Sequence, residues 1–496
     1  MNHWNVSYAM PEWILAATAM VALVLDARSA GGDKRGVKRT ARWGVLAATV
    51  WVVLQGLSFT GKNFAFYGHY SVDAFSMTFK LLFGVTALFV LAMADTWLRR
   101  VDKGHGEFHL LTLFATLGMF FISSGEDLAS LFVALELITV SFYCLTAFKR
   151  NDERSIEAAV KYVVLGALAS SFLILGIAFI YGAAGSLELA TLARSGIAED
   201  LGHPGGALVQ FGVLLALVGL GFKVAAVPFQ VWTPDVYEGA ASPVTAFLSM
   251  GSKAAGFVLL LKLVRACLGP AADAGLASTA AWVGLVSLIA AATVLYGNLG
   301  AIWQGNMKRL LGYSSIGHAG YALMGLAAFD SAGFAAVVYY LIAYLFTVLG
   351  VFAAVVVVNG STRNHEIADY AGLGKRSPFL ALVLTCCLLS LAGVPPFGGF
   401  FGKFMIFDAI VAKGSPTLYA LAFVGVAGVV ISLYYYLKVI AKLYVEEPKP
   451  GSDGDLVISR AMRWVLYACL AGVFLTGILQ PPFVALAKSA AHALIG

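Results

Sequence analysis

The stretch that decides the fold is Gly221–Lys253, GFKVAAVPFQVWTPDVYEGAASPVTAFLSMGSK. Lys223 sits in the body of an apolar run, Pro228 interrupts that run, and Thr233, Pro234, Asp235 and Glu238 form a polar, acidic connector. The next apolar run carries Lys253. A lysine at the centre of a bilayer costs about 2.5–3.5 kcal/mol or more, so two of them around a break require a reason. Pro228 has no amide hydrogen and displaces the bond to the carbonyl of Val224, which frees a polar backbone group near Lys223. Broken backbone at membrane depth is tolerated only where it is enclosed by protein or lines a water-filled cavity. The stretch therefore predicts an ion-conducting path inside a membrane protein.

Composition agrees. Of 496 residues, 60% are hydrophobic and 12% charged, about half the charged fraction of a soluble domain. Apolar runs recur along the whole chain, and at about 20 residues per span they predict an all-α polytopic membrane protein with about fourteen transmembrane helices. Helices 7 and 12 are broken, at Pro228 and at Pro395–Pro396. Met1–Glu12 has no basic n-region, so the first run reads as a retained helix and not a cleaved signal. The net charge of +6 comes from bases between apolar runs and does not indicate nucleic-acid binding. The five cysteines (Cys144, Cys267, Cys386, Cys387, Cys469) have no metal-ligand spacing, so no bound metal or redox centre is expected. No nucleotide-binding loop or dinucleotide fingerprint is present.

The bases set an expected topology. Arg28 to Arg42, then Arg99, Arg100 and Lys103, then Lys149, Arg150 and Arg154 follow helices 1, 3 and 5. Lys308 and Arg309 follow helix 9; Arg363, Lys375 and Arg376 follow helix 11, and a charged segment, Glu446 to Arg463, follows helix 13. Glu126, Asp127, Glu199 and Asp200 occupy alternate loops. The positive-inside rule then puts both termini outside. The acidic seventh connector, and Lys262 and Arg265 after helix 8, fit this poorly. AAVPFQVW is echoed by AGVPPFGGFFGKF five helices later. An odd shift reverses direction, so two inverted repeats are expected, as in many transporters. The resulting division is 1–104 (helices 1–3), 105–268 (first repeat, helices 4–8), 269–446 (second repeat, helices 9–13) and 447–496 (helix 14).

Glu136, in FVALELITVSFY, lies mid-helix with no route to either surface. A structural ion pair explains it, and so does a proton-transfer site with Lys223 as partner, since burial and pairing act oppositely on the proton affinity of both groups. Lys253 reads as a proton carrier, lysine being a residue whose proton affinity responds readily to burial, and Lys403 either as another or as a base that snorkels to the outer surface. His318, in YSSIGHAGYALMG, is either held by the nearby serines or relays protons between Lys253 and Lys403. Lys161 follows Glu157 by four residues, which suggests a surface pair; proton transfer is the other reading. Lys80, Lys262 and Lys438 are expected to snorkel. Asp235 and Glu238 read as solvated acids or as a proton-collecting mouth.

These motifs resemble the antiporter-like subunits of respiratory complex I, the proton-pumping NADH–quinone oxidoreductase, and of Mrp-type cation/proton antiporters. The Gly221–Lys253 stretch, VPPFGGFFGKFMIF, the glutamate helix, EAAVKYVVLGALASSFLILGIAFIYG and NMKRLLGYSSIGHAGY are all similar to that family, and Lys403 in helix 12 favours its subunit N branch. The resemblance implies proton transfer by Glu136, Lys161, Lys223, Lys253, His318 and Lys403. It implies no cofactor in this chain, with NADH, FMN, iron–sulfur clusters and quinone in partner subunits. The partners implied are a neighbouring antiporter-like subunit and small membrane subunits, in a bacterial inner membrane. A cation/proton antiporter subunit, the equivalent subunit of a hydrogenase or ferredoxin-linked complex, and a purely structural subunit are the alternatives. Many members carry histidine where this chain has Gln230, which cannot take up a proton at neutral pH.

Overall fold

The structure is a computed structural model that describes residues 4–29, 34–58, 61–99, 104–194, 204–273, 277–362, 365–448 and 456–495. Arg100, Lys103, Glu199, Asp200 and Arg363 lie outside the described residues, as does part of the charged segment after helix 13. The described residues are almost all helical, with one small hairpin that the sequence did not announce. Its helices are α1 (Met10–Arg28), α2 (Arg35–Ser58), α3 (Ala74–Leu98), α4 (His105–Ser124), α5 (Leu128–Thr146), α6 (Glu153–Ala184) and the short α7 (Leu189–Arg194). Next come α8 (Pro204–Val224), α9 (Trp232–Gly239), α10 (Ser242–Phe247), α11 (Lys253–Asp273), α12 (Ala277–Ile302), α13 (Met307–Leu326) and α14 (Ser331–Thr362). The series ends with α15 (Leu373–Arg376), α16 (Pro378–Ala392), α17 (Gly398–Val411), α18 (Pro416–Tyr444), α19 (Arg460–Ile478) and α20 (Gln480–Ile495).

Among the described residues, 12 helices are long and apolar enough to cross a membrane. The more polar α13 and the interrupted pair α16–α17 bring the crossings to the fourteen expected. The last crossing is itself interrupted, between α19 and α20. There a Cβ on Gly477 would stand 1.9 Å from the carbonyl oxygen of Pro396, so the end of α19 abuts the break of helix 12. The stretch Ser242–Gly269 and α14 are almost wholly buried and form the centre of the bundle. Large apolar side chains elsewhere face outward, as a lipid-facing surface requires.

Small residues allow the closest packing. A Cβ on Gly176 in α6 would lie 2.4 Å from the carbonyl oxygen of Gly212 in α8, so this helix pair meets backbone to backbone. Two expectations about bases fail here. The sequence reading put Arg35, Lys38, Arg39 and Arg42 in a loop, but they occupy the first two turns of α2. Lys80 and Lys262 do not snorkel; each is about 2% exposed at its side chain. Lys80 lies 2.7 Å from a carboxylate oxygen of the buried Glu12 and donates to the Tyr70 hydroxyl at 2.7 Å. Lys262 donates to the carbonyls of Ser123 (2.9 Å) and Gly125 (2.6 Å) at the end of α4. Burial of the ammonium was cheaper than extension because unpaired carbonyls at a helix C-terminus attract cations. Lys438 is exposed, as expected.

The hairpin, β1 (Asn63–Ala65) and β2 (Tyr70–Val72), is antiparallel. Glu126 ties it to the bundle. Its carboxylate accepts from Ser71 Oγ at 2.6 Å and from Lys62 at 3.2 Å, with Lys262 3.8 Å away. Burial disfavours the charged form, but Lys262, Lys62 and the Ser71 bond outweigh it and hold the carboxyl below the usual range. A depressed folded-state value stabilises the fold above the unfolded glutamate range, about 4.3, and that stability is lost as pH falls through the folded value. Glu126→Gln is expected to lower stability near neutral pH by about 1.5–3 kcal/mol, the order for a lost charged hydrogen bond. Thermal unfolding of the detergent-solubilised protein checks this: the gap between wild type and variant narrows as the pH drops below that range.

Candidate proton-transfer site

The break in helix 7 is a segment and not a kink. Helix α8 stops at Val224, and Ala225 turns it out of register with φ 63°, a left-handed conformation unusual for a residue with a side chain. The polar groups exposed by the break find partners. Trp232 Nε1 donates to the Phe222 carbonyl at 2.9 Å, and the Val227 amide donates to Thr293 Oγ1 of α12 at 3.0 Å. The connector read from sequence as polar loop is the short helix α9, which returns the chain toward the bundle.

Lys223 is buried at the end of α8 and donates to the Thr139 hydroxyl on α5. Glu136, one turn earlier on α5, accepts from Ser170 Oγ on α6 at 2.6 Å. The expected Glu136–Lys223 ion pair is therefore not closed: among the described residues no salt bridge joins them. Each charge takes a hydroxyl instead, since a hydroxyl rotates to suit either a cation or an anion. Gln230 Oε1 and Thr233 Oγ1, which follow the break, and the Tyr143 hydroxyl on α5, beside Lys223, are buried without a hydrogen-bond partner in the protein.

Helix 8 is also irregular, which the sequence did not signal. A π-helical turn, Leu248–Ser252, separates α10 from α11 and ends at Lys253. Such turns are frequent at functional positions. The Lys253 ammonium donates to the Ser315 carbonyl (2.8 Å) and to its hydroxyl (2.6 Å) on α13. One turn on, His318 faces the Tyr340 hydroxyl through Nδ1 (2.5 Å) and the Tyr436 hydroxyl through Nε2 (3.1 Å). Tyr436 also bonds Ser314. A cavity of about 10 Å³, the room for about one water, is bounded by both Lys253 and His318, together with Ser315, Tyr340 and Tyr344. The histidine is thus held by tyrosines, and the neighbouring serines serve Lys253 and Tyr436.

Lys403 follows the second break on α17 and folds back onto α16. It donates to the carbonyls of Leu391 (2.8 Å) and Ala392 (3.0 Å) and lies 4.7 Å from the centre of the Tyr321 ring. Gly393 ends α16 at φ 87°, and a Cβ there would come within 3.3 Å of the Lys403 nitrogen. Glycine therefore serves both the left-handed turn and the approach of the amine.

Lys161 stands apart from these groups. It is 41% exposed and bridges Glu157 and Asp235, each at 2.7 Å. Asp235 also takes Arg309 of α13 at 2.6 Å, and Glu238 takes Arg309 at 3.2 Å and Arg154 at 3.5 Å. The two acids of α9 are thus the hub of an ion-pair cluster that joins α6 to α13. Lys308, read only as a loop marker, is fully buried and donates to the backbone carbonyls of Glu238 (2.8 Å) and Ala240. The missed signal was its position two residues after Asn306, which caps α13 and so puts Lys308 inside the helix.

Comparison with known proteins follows this geometry. The family described as NADH:quinone oxidoreductase/Mrp antiporter, TM, matches residues 125–432. The chain is 38% identical over 448 residues to NADH-quinone oxidoreductase subunit N of Chlorobium chlorochromatii, covering 90% of this chain and 86% of that one. It is 36% identical over 492 residues to subunit N of Desulforamulus reducens, covering 99% of both. A solved chain of respiratory complex I from Thermus thermophilus with bound aureothin superposes with a TM-score of 0.78 at 32% identity, over 97% of this chain and all of that one. With one long family match and relatives similar from end to end, the chain belongs to the NADH:quinone oxidoreductase/Mrp antiporter family of membrane subunits, in its subunit N branch.

Proposed function

We propose that this chain is the proton-translocating membrane subunit of an NADH–quinone oxidoreductase, driven by redox chemistry in partner subunits. The single observation that carries the path is the cavity bounded by Lys253 and His318, flanked by Lys223 on one side and Lys403 on the other. Protons enter near α9, load Lys253, pass through water and His318 to Lys403, and leave at the opposite face. Glu136 and Lys223 act as the switch: the pair closes or opens in response to the neighbouring subunit and alters the electric field at Lys253. The hydroxyls of Thr139 and Ser170 hold the two charges while it is open. Buried Gln230, Thr233 and Tyr143 supply unpaired polar atoms for bridging water, so the relay does not require a histidine at position 230. Lys161 acts from the rim, by placing Asp235.

The proposed setting is a bacterial inner membrane with both termini outside. The partners are a neighbouring antiporter-like subunit and small membrane subunits; NADH, FMN, iron–sulfur clusters and quinone are held elsewhere in the complex. The inverted repeats at 105–268 and 269–446, beside 1–104 and 447–496, belong to the same proposal, supported by two breaks that each place a buried lysine.

Lys223→Ala in the whole complex is expected to cut proton pumping severalfold while quinone reduction and assembly persist. Pumping by reconstituted vesicles at the wild-type ratio would sink the assignment and favour a structural subunit. Sodium-driven proton flux without an electron donor would favour the antiporter. Thr139→Val removes the acceptor of a charged hydrogen bond, worth about 1.5–3 kcal/mol. It is expected to shift the pH profile of pumping, with Thr139→Ser restoring it; overlapping profiles for all three proteins would remove Thr139 from the switch.

A further inference from the structure

Three tyrosines lie between the Glu136–Lys223 group and Lys253. Tyr143 follows Glu136 by seven residues on α5, hence on the same helix face, and its ring centre is 6.0 Å from the Lys223 nitrogen. It meets the Tyr162 ring of α6 edge to face, with centres 5.2 Å apart. Tyr162 packs on Trp232 at 4.8 Å and Trp232 on Tyr237 of α9 at 6.5 Å. The Tyr237 ring centre is 5.6 Å from the Lys253 nitrogen. The string thus runs from one lysine to the other. Tyr162 and Tyr237 are buried, and neither has a part in the path through Lys253, His318 and Lys403.

Packing alone does not call for their hydroxyls. Phe222 stacks on Tyr162 at 5.9 Å and Phe352 packs on Tyr237 at 6.4 Å, so phenylalanine suits the same cluster. Among the described residues, the hydroxyls of Tyr143, Tyr162 and Tyr237 are buried and close no hydrogen bond. Two of them face hydroxyls beside the carrier: Tyr162 faces Ser252, which precedes Lys253, and Tyr237 faces Ser315, to which Lys253 donates. A buried polar group left unpaired is costly, and water is the partner such sites admit. We propose that Tyr162 and Tyr237 are proton-transfer residues that load Lys253, with Tyr143 at the head of the string, an assignment that rests on the proton-translocating reading of this chain. Water bridges the gaps. In each hop the phenol oxygen takes a proton on a lone pair as its own O–H proton passes to the next acceptor, so the tyrosine is restored and keeps no charge. The last acceptor is the neutral amine of Lys253, reached through the hydroxyls of Ser252 and Ser315. Trp232 cannot relay, because an indole only donates; its bond to the Phe222 carbonyl holds the two tyrosines in place.

The test uses the whole complex reconstituted in vesicles, with Tyr162→Phe, Tyr237→Phe and the double variant, which keep the rings and remove only the oxygens. Protons pumped per quinone reduced are expected to fall severalfold in each. The pumping that remains is expected to slow more in D2O than that of the wild type, while assembly and uncoupled quinone reduction stay unchanged. A wild-type ratio and isotope effect in the double variant would overturn the proposal. So would lower thermal stability with an unaltered ratio, the mark of packing or of fixed water alone. Lys223→Ala, measured alongside, separates two failures. Lost pumping there with intact pumping in the tyrosine variants removes only the string, whereas intact pumping in both removes the underlying reading as well.

Discussion

An ammonium group taken out of water must be given acceptors, and this fold supplies several of them from the ends of its own helices. Lys403 binds the last carbonyls of α16, Lys262 those around the end of α4, and Lys308 those at the end of α9. The carbonyls of a helix C-terminus have no partner within the helix and carry the negative end of its dipole, so a buried cation and a helix end solve each other's problem. Were the helices continuous, these lysines would face sealed backbone, and the cost of burial would stand uncompensated.

A second set of charges is held by hydroxyls. Lys223 rests on Thr139, Glu136 on Ser170, Lys253 on Ser315, and His318 between Tyr340 and Tyr436. A hydroxyl both donates and accepts, so it keeps its bond as the group beside it gains or loses a proton. Backbone carbonyls and hydroxyls are both acceptors here, and Lys253 takes one of each from Ser315. The ion cluster on Asp235 and Glu238 ties α6 to α13.

Much of the site was legible because charge is expensive in hydrocarbon. Glu136, Lys223, Lys253, His318 and Lys403 stand out in apolar runs, and the two proline breaks announce themselves. The failures have a common source. Lys80 and Lys262 sit close enough to a helix end for snorkelling to look cheap, and only the positions of Glu12, Tyr70 and the α4 carbonyls make burial cheaper. Lys308 and the bases of α2 were misplaced because a helix can begin before its apolar run does. The Glu136–Lys223 pair was inferred from charge alone, which does not reveal that Thr139 and Ser170 intervene.

By itself, then, the sequence determined that the chain crosses a membrane about fourteen times, that two crossings are broken, and that Lys223, Lys253, His318 and Lys403 lie inside. Those follow from local hydropathy and from proline's missing amide hydrogen, which depend on no distant contact. Only the tertiary structure decided which acceptor each buried charge takes, that a π-turn aims Lys253 at Ser315, and that the last crossing breaks against Pro396. Each of these rests on residues far apart in the chain, and a one-turn shift between packed helices would change the partner without altering a residue.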